Sequence, residues 1–271
     1  MALPFFLVPL PTEMKYLQII LTFSAFAVLT FTACGSDGRD ATLVFDSITV
    51  EKNVNIEDSK DAPQCHVRLE ILQARNASNE NGRLVNEAIV KKIFDMEQLS
   101  PKAAADSFAN TYTRDYRKNL APLYREDRAD SDKHPWYEYR YIVTTEVNND
   151  CHGITNYLIT LDYYEGGAHG ITQLLTLNFN NHSGRQMSLV DIYGPGYEQK
   201  LCDHLLNALL KKTGDKNLNE LHQRGYLYSM DMFVSENYII GDDKVTFIYN
   251  PYEIAPYSEG TIKLDIKRQI D

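Results

Sequence analysis

Eight residues near the middle of the chain combine acid–base side chains with three glycines. The segment Tyr163-Tyr164-Glu165-Gly166-Gly167-Ala168-His169-Gly170 follows an alternating run, 154–163, that predicts a β-strand. Glycine weakens a strand but permits positive φ and close backbone approach, so the strand is predicted to end in a shaped turn. We expect this turn to hold Glu165 and His169 near each other. A carboxylate beside an imidazole is typical of acid–base chemistry or of polar recognition, and the motif is compatible with both.

Catalysis at this turn would require further groups. Asp162 and Asp191 are the carboxylates that could join Glu165 and His169, but hydrolysis by paired carboxylates needs a defined separation within a cleft. The sequence has no Gly-x-Ser-x-Gly motif, no zinc-binding helix motif and no phosphate loop. Cys-x-x-Cys and His-x-x-x-His spacings are absent as well, so neither a metal nor another cofactor is expected. A non-catalytic recognition surface is therefore favoured over an enzyme.

A second aromatic segment lies close to the end of the sequence. Asn250-Pro251-Tyr252-Glu253-Ile254-Ala255-Pro256-Tyr257 contains two prolines and predicts a loop. Both segments supply candidate ligand-binding residues, which are Tyr163, Tyr164, Glu165, His169, Tyr252, Glu253 and Tyr257. Aromatic rings stack on sugar faces, and carboxylates pair with a basic partner. The alternative is structural: the glycines Gly166, Gly167 and Gly170 would form a β-bulge, His169 would cap backbone groups, and Tyr252 and Tyr257, beside Pro251 and Pro256, would fill the core.

The start of the chain predicts export. Met14-Lys15 precedes an uncharged apolar run and then Thr32-Ala33-Cys34-Gly35, which is typical of a secretory signal. We expect residues 1–33 to be a signal peptide, with Met14 as an alternative start. Cys34 would then be the lipid-modified first residue of the mature protein, and residues 34–42 a flexible tether. Phe31 stands where such lipidation motifs usually have leucine. The predicted location is the bacterial cell envelope, periplasmic or surface-facing.

Charge and cysteine content narrow the partners further. The formal net charge of −10 and the isoelectric point of about 5.2 argue against nucleic acid, because phosphate binding needs a basic surface. Beyond Cys34 there are three cysteines, which in an exported protein predicts one disulfide and one free thiol. Cys65 and Cys151 each precede an alternating run, so we expect these two to pair at one edge of a sheet. Cys202 lies in a helical pattern and is predicted to be buried.

The periodicity of the remaining chain predicts an α+β fold, with an antiparallel sheet and helices packed on one face. Two associated modules, 43–150 and 151–271, are expected; a single continuous sheet is the alternative, since a long strand pair spans 136–164. Ser100 followed by Pro101 predicts a helix start, and Pro122 is expected to end that helix. The predicted strands cover 43–50, 67–73, 136–147, 154–163, 173–179, 238–240, 245–249 and 261–266. The predicted helices cover 83–94, 101–122, 197–212 and 217–224.

The two motifs together resemble a bacterial envelope family. Residues 163–170 are similar to its hallmark Y-x-G-G-A-H-G, and residues 250–260 to its hallmark N-P-Y-E-I-A-P-Y-x-x-G. Between them, Ser188-Leu189-Val190-Asp191-Ile192 resembles the family's Leu-x-Asp-Leu-like turn. The family comprises the extracytoplasmic domain of the anti-sigma-V factor RsiV and the N-terminal module of the peptidoglycan deacetylase PdaC. The resemblance covers roughly residues 40–271 and implies a PdaC-like module at 43–150 and an RsiV-like module at 151–271.

This resemblance implies a function in recognition. The anti-sigma factor's domain recognises lysozyme, whereas the deacetylase carries the module beside a separate catalytic domain. We therefore expect a lipoprotein that recognises a wall glycan or a lysozyme-like protein, without signalling or deacetylation. The alternatives are an envelope hydrolase or deacetylase-like enzyme acting on peptidoglycan, and an inhibitor of lysozyme. The sequence predicts no oligomeric state.

Overall fold

A five-stranded β-sheet forms the first part of the fold. The computed structural model describes residues 43–75, 79–149, 151–228 and 230–270, so the predicted signal peptide, Cys34 and the tether lie outside the described residues. The strands are neighbours in the same order as in the chain. They are β1 (Phe45–Asn55), β2 (Gln64–Ala74), β3 (Tyr139–Asn148), β4 (Ile154–Glu165) and β5 (Ile171–Asn180).

One strand pair in this sheet, β2 and β3, is parallel, and the other neighbours are antiparallel. Parallel strands require a crossover connection. The crossover here contains α1 (Glu80–Phe94), α2 (Pro101–Asp127) and a 3₁₀ segment (Ser131–Tyr137). The two helices pack against the sheet face that carries the buried side chains of β2, which are Cys65, Val67, Leu69 and Ile71. The predicted α+β class is confirmed.

Helix α2 begins where the sequence predicts and ends later. The Ser100 hydroxyl accepts a hydrogen bond from the Ala103 backbone N–H at 3.3 Å, and Pro101 is the first helical residue. The predicted end at Pro122 is wrong, because the helix continues to Asp127. Pro122 is exposed and removes one internal backbone hydrogen bond. Burial of Ala121 and Tyr124 stabilises the turns on either side of it.

A second, three-stranded sheet has its own core. Strands β6 (Tyr238–Ile240), β7 (Lys244–Tyr249) and β8 (Ile262–Lys267) are antiparallel, and α4 (Glu198–Thr213) packs against β8. Leu201, Leu205 and Leu209 form the fully buried stripe of α4. Gly214 ends this helix at a φ of 78°, as its position in the sequence predicts. The short helices α3 (Leu189–Tyr193) and α5 (Leu218–Gln223) complete this part.

Buried amide side chains join the two sheets. The Asn156 side chain on β4 donates to the Ile240 carbonyl and accepts from the Ile240 N–H, both at 3.0 Å. Asn178 on β5 donates to the carbonyl of Tyr238 at 2.9 Å. These side chains bond to backbone N–H and carbonyl groups at the edge of β6, which would otherwise need a neighbouring strand. The boundary between the two predicted modules falls inside the first sheet, because β3 and β4 pair across residue 150.

The predicted Cys65–Cys151 disulfide is wrong. Both cysteines are free and buried, and Cys202 is also free. Because β2 runs parallel to β3, Cys65 aligns with Tyr139 at the start of β3. Cys151 follows the opposite end of that strand and belongs to the core of the second sheet. The expectation of a shared sheet edge failed because it assumed that all strands were antiparallel.

Candidate functional site

The glycine-rich loop connects β4 to β5, and its shape depends on two residues without side chains. Gly166 and Gly167 have φ of 80° and 92°, in the region that favours glycine. A Cβ atom on Gly166 would lie 2.5 Å from the backbone oxygen of Trp136, whereas one on Gly167 would meet nothing within 4 Å. Gly170 also packs closely, since its Cβ would lie 2.9 Å from the Tyr163 carbonyl oxygen. The loop is therefore fixed by backbone packing.

Tyr163 and Glu165 point to the helix-covered face of the sheet. The Tyr163 ring lies 6.3 Å from that of Tyr141, measured between centroids. The Tyr112 hydroxyl on α2 donates to Glu165 Oε1 at 2.6 Å. Burial, and then this bond to the carboxylate, raise the pKa of Tyr112 far above its usual range. Glu165 thus ties the end of β4 to helix α2.

The same carboxylate influences a buried thiol. Burial and, to a lesser extent, the negative charge of Glu165 raise the pKa of Cys65 to about 12. A thiol with this pKa stays protonated near neutral pH and is a poor nucleophile. Cys65 is therefore a residue of the first core, near the Glu165 end of β4.

Tyr164 points away from this pair and braces the loop from the other side. Its hydroxyl lies 2.9 Å from the Gly167 carbonyl oxygen and 3.2 Å from the Pro135 carbonyl oxygen. A single hydroxyl proton can serve only one of these acceptors at a time. In either case the tyrosine connects the loop to itself or to the 3₁₀ segment. Tyr164 is thus a support of the loop.

His169 is the loop residue that reaches the second motif. Its ring stacks on Tyr257 with a centroid distance of 4.1 Å and an interplanar angle of 21°. Nδ1 lies 3.0 Å from the carbonyl oxygen of Gly170, which can only accept, so this nitrogen carries the proton. Nε2 lies 3.3 Å from the Tyr252 hydroxyl oxygen, within hydrogen-bond distance. The Tyr257 hydroxyl also donates to the Gly170 carbonyl, at 3.0 Å. Two motifs that are distant in the sequence therefore form one cluster.

The loop between β7 and β8 presents these tyrosines from a buried anchor. The Asn250 side chain accepts from the Leu174 N–H at 2.7 Å and donates to the Leu174 carbonyl at 3.1 Å. Glu253 accepts from the Asn250 N–H at 2.9 Å, so this carboxylate serves the turn. Tyr252 has a φ of 72°, which is unfavourable for a bulky residue. The turn therefore holds an exposed aromatic ring in a strained conformation.

An exposed apolar groove lies beside this cluster. Its volume is about 490 Å³, and its lining includes Tyr228, Met230, Tyr252 and Pro256. Tyr228 is 81% exposed and Tyr252 58% exposed. We call the side chains of His169, Tyr228, Met230, Tyr252 and Tyr257 the aromatic surface. Tyr228 and Met230 could not be predicted from the sequence, because they lie outside both motifs and no pattern marks them.

The expected pairing of Glu165 with His169 is not found. Within the described residues, no hydrogen bond or ion pair joins His169 to a carboxylate. Asp162 accepts from Arg140 at 2.8 Å and from Thr172 at 3.0 Å. Asp191 accepts from the Ser188 N–H at 2.7 Å, and this bond lowers the pKa of Asp191. The carboxylates that could complete an acid–base site therefore have structural partners of their own.

The residues that the structure describes contain no group of three or more His, Cys, Asp or Glu side chains that could hold a metal ion. No helix in them is both long and apolar enough to cross a membrane.

Fold and site together define an α+β protein with an exposed aromatic surface at the junction of two sheets. Residues 190–269 match the family model described as a protein of unknown function (DUF3298), so the chain contains a DUF3298 domain. The match includes the loop at 250–257 but not the glycine-rich loop. The comparison with curated proteins found no match.

Two solved structures of DUF3298 family proteins have a similar fold. The crystal structure of a DUF3298 family member (BF2082) from Bacteroides fragilis NCTC 9343 is 26% identical, with a TM-score of 0.74. The alignment covers 84% of this chain and 91% of that one. A DUF3298 family protein (PA4972) from Pseudomonas aeruginosa PAO1 is 16% identical, with a TM-score of 0.58 over 84% of this chain and 92% of that one. The similarity therefore extends beyond the matched domain to the first sheet.

Proposed function

We propose that this protein is a non-catalytic recognition module of the bacterial cell envelope. Its aromatic surface binds a wall glycan or a lysozyme-like protein. The observation that carries the proposal is the stacking of His169 on Tyr257, with Tyr252 bonded to the same imidazole. Residues from loops of both sheets thus form a cluster that remains at the surface.

The chemistry of the cluster favours binding over catalysis. The two nitrogens of His169 have a backbone carbonyl and a tyrosine hydroxyl as partners. A general base must lie within hydrogen-bond reach of a substrate proton, and both nitrogens of His169 are already paired with groups of the protein itself. Glu165 and Glu253 are bonded to Tyr112 and to Asn250. The aromatic rings, in contrast, offer a large and rigid contact area.

Backbone strain supports the same interpretation. A non-glycine residue held at positive φ costs about 1–3 kcal/mol, and such residues cluster at ligand-binding sites. Tyr252 has this conformation and is also 58% exposed. A buried ring would explain the strain through packing, whereas an exposed ring gains little from its neighbours. Binding of a ligand is the function that this conformation serves.

The proposed location follows from the start of the chain. A lipid anchor on Cys34 and a short tether would hold the recognition module close to the membrane surface. Metabolic labelling with a fatty-acid analogue tests this part: wild-type protein is expected to incorporate the label, and Cys34→Ala to lose it. Incorporation into Cys34→Ala would refute lipidation at this residue.

Direct binding tests the proposal itself. Calorimetry measures binding of residues 35–271 to hen lysozyme and to peptidoglycan fragments, at low and physiological salt. We expect saturable binding to one of the two, and loss of at least about tenfold in affinity for Tyr252→Ala, equivalent to about 1.4 kcal/mol. Leu123→Ala is the matched control, because Leu123 is similarly exposed but lies on helix α2.

Three results would contradict the proposal. Absence of binding to both ligands would leave only the fold in common with the resembling proteins. Equal loss of affinity in Tyr252→Ala and Leu123→Ala would mean that the aromatic surface is not the binding site. Cleavage or deacetylation of the peptidoglycan fragments by purified protein would favour the enzyme alternative. If lysozyme binds, its activity in the complex distinguishes an inhibitor from a simple recognition module.

A further inference from the structure

Trp136 is the single tryptophan of the chain, and its side chain is exposed. It belongs to the 3₁₀ segment Ser131–Tyr137 and is 58% accessible to solvent. A single exposed apolar ring is common on protein surfaces and carries little information alone. The contacts of the backbone around Trp136 are more informative, because they connect this ring to the glycine-rich loop.

The backbone of Trp136 is held against that loop at several points. The carbonyl oxygen of Trp136 occupies the space where a Cβ of Gly166 would lie, at 2.5 Å. The preceding carbonyl, on Pro135, lies 3.2 Å from the Tyr164 hydroxyl. The following residue, Tyr137, is buried. Trp136 is therefore an exposed ring on an anchored backbone, which is the arrangement expected of a preorganised binding residue.

The glycine-rich loop also links Trp136 to the aromatic surface. Gly166 contacts Trp136, and His169 on the same loop stacks on Tyr257. Three residues of chain span at most about 11 Å, so the two contacts lie close together along the loop. The glycine-rich loop is thus a common support for two exposed aromatic groups.

We propose that Trp136 is a second aromatic contact for the ligand of the aromatic surface, and that this ligand is a neutral oligosaccharide of linked pyranose rings. This inference rests on the proposed function and names its ligand class. Apolar faces of pyranose rings stack on indole and phenol rings, and sugar hydroxyls bond to tyrosine hydroxyls and backbone carbonyls. Linked pyranose rings supply the repeated faces that two separate aromatic groups require.

Charge favours a neutral glycan over a basic protein. A basic partner is recognised through carboxylates that are free to pair with it. The carboxylates of the two motifs, Glu165 and Glu253, are bonded to Tyr112 and Asn250 instead. The nearby cation Arg140 is paired with Asp162 at 2.8 Å. The two motifs therefore present rings and hydroxyls, which match a neutral sugar chain.

Intrinsic fluorescence tests this inference directly, because one tryptophan produces the whole indole signal. Residues 35–271 are titrated with N-acetylglucosamine oligomers of increasing length and, separately, with hen lysozyme modified to remove its own indole emission. We expect the oligomers to shift the Trp136 emission to shorter wavelength in a saturable manner, with the same dissociation constant as calorimetry. Trp136→Ala is expected to weaken oligomer binding about tenfold by calorimetry, and Trp136→Phe by less. Circular dichroism checks that both variants are folded.

The outcomes separate this inference from the proposed function. One outcome is that the oligomers bind to wild-type protein and lose affinity in Tyr252→Ala, yet leave the Trp136 emission and the affinity of Trp136→Ala unchanged. In that case the role of Trp136 is refuted and the proposed function stands. If only lysozyme binds and shifts the emission, the glycan class is refuted. If neither ligand binds, both proposals fail. Longer oligomers binding more tightly than the shortest ones in wild-type protein, but not in Trp136→Ala, would support a contact at two aromatic groups.

Discussion

Replacement of Gly166 by alanine is a sharp test of how the glycine-rich loop is held. The new Cβ would lie 2.5 Å from the Trp136 carbonyl oxygen and 3.4 Å from its carbonyl carbon. Both atoms belong to the backbone, so a rotation of a flexible side chain cannot relieve the contact. The neighbouring Gly167 provides a matched control, because its φ is also positive but its Cβ would meet nothing within 4 Å. The pair therefore separates steric overlap from backbone strain.

The expected costs follow from these geometries. Positive φ costs an alanine about 1–2 kcal/mol, and the lower entropy of the unfolded chain returns about 0.4–1 kcal/mol. Gly167→Ala should therefore lower the free energy of unfolding by about 1 kcal/mol. Overlap in a packed region adds about 1–3 kcal/mol, so Gly166→Ala should lose about 3 kcal/mol. For a protein of this size, that difference corresponds to about 4–8 °C in melting temperature.

Urea unfolding followed by circular dichroism measures both variants, and tryptophan emission reports the local change. In Gly166→Ala the 3₁₀ segment or the loop has to move, so the emission of native Trp136 should differ from wild type. In Gly167→Ala it should remain the same. Equal destabilisation of the two variants, with unchanged emission in both, would refute the argument that Gly166 packs against the Trp136 backbone.

Three other predictions concern the hydrogen bonds of Asn250 between the sheets, the buried thiol of Cys65 and the strained backbone of Tyr252. Asn250→Ala removes two hydrogen bonds to Leu174 and should lower the free energy of unfolding by about 3 kcal/mol in urea titrations. The helix-cap variant Asn217→Ala is the control and should lose only about 1 kcal/mol. Equal losses would contradict the role of Asn250 in joining the two sheets. Because burial raises the pKa of Cys65 from 9.0 to about 12, the unfolded chain loses the thiol proton between these pH values while the folded protein keeps it. Wild-type stability should then fall with rising pH by about 1.4 kcal/mol per unit more than that of Cys65→Ala, and parallel pH profiles from urea titrations would disprove the shift. Tyr252→Gly should be about 1 kcal/mol more stable than Tyr252→Ala in thermal unfolding because glycine tolerates a φ of 72°; both should lose ligand binding, and binding by Tyr252→Gly at wild-type affinity would rule out a role for the ring.

Local signals predicted much of the fold. Ser100 with Pro101 marked the start of α2, and Gly214 marked the end of α4, because caps act through neighbouring backbone groups. The expected stop at Pro122 failed because tertiary burial outweighs the loss of one helical hydrogen bond. The disulfide failed for a longer-range reason. The parallel pairing of β2 with β3 depends on a crossover through two helices, and strand patterns alone do not specify strand direction.

The candidate site shows the same division between local and distant information. The sequence indicated both motifs, and the structure brings His169 together with Tyr252 and Tyr257. Nothing in the sequence indicated the hydrogen bond between Tyr112 and Glu165, which are 53 positions apart. Strand alternation offered a usable signal, since Glu165 follows Tyr163 by two residues and so shares its face. That alternation places Glu165 on the face of Tyr163, but it does not apply to His169 beyond the end of the strand.

The position of the aromatic surface connects the proposed ligand binding with the contact between the two sheets. His169 follows β4 in the first sheet, whereas Tyr252 and Tyr257 follow β7 in the second. Asn250, two residues before Tyr252, is bonded to Leu174 on β5, so the contact between the sheets also sets the distance from His169 to the tyrosines. A ligand that contacts both sides binds only the docked arrangement and must stabilise it by mass action. Replacement of Asn250 should therefore weaken the contact between the sheets and with it the binding, even though Asn250 is buried and cannot touch the ligand. The proposed binding would therefore depend on buried amides that contact no ligand as well as on the exposed rings.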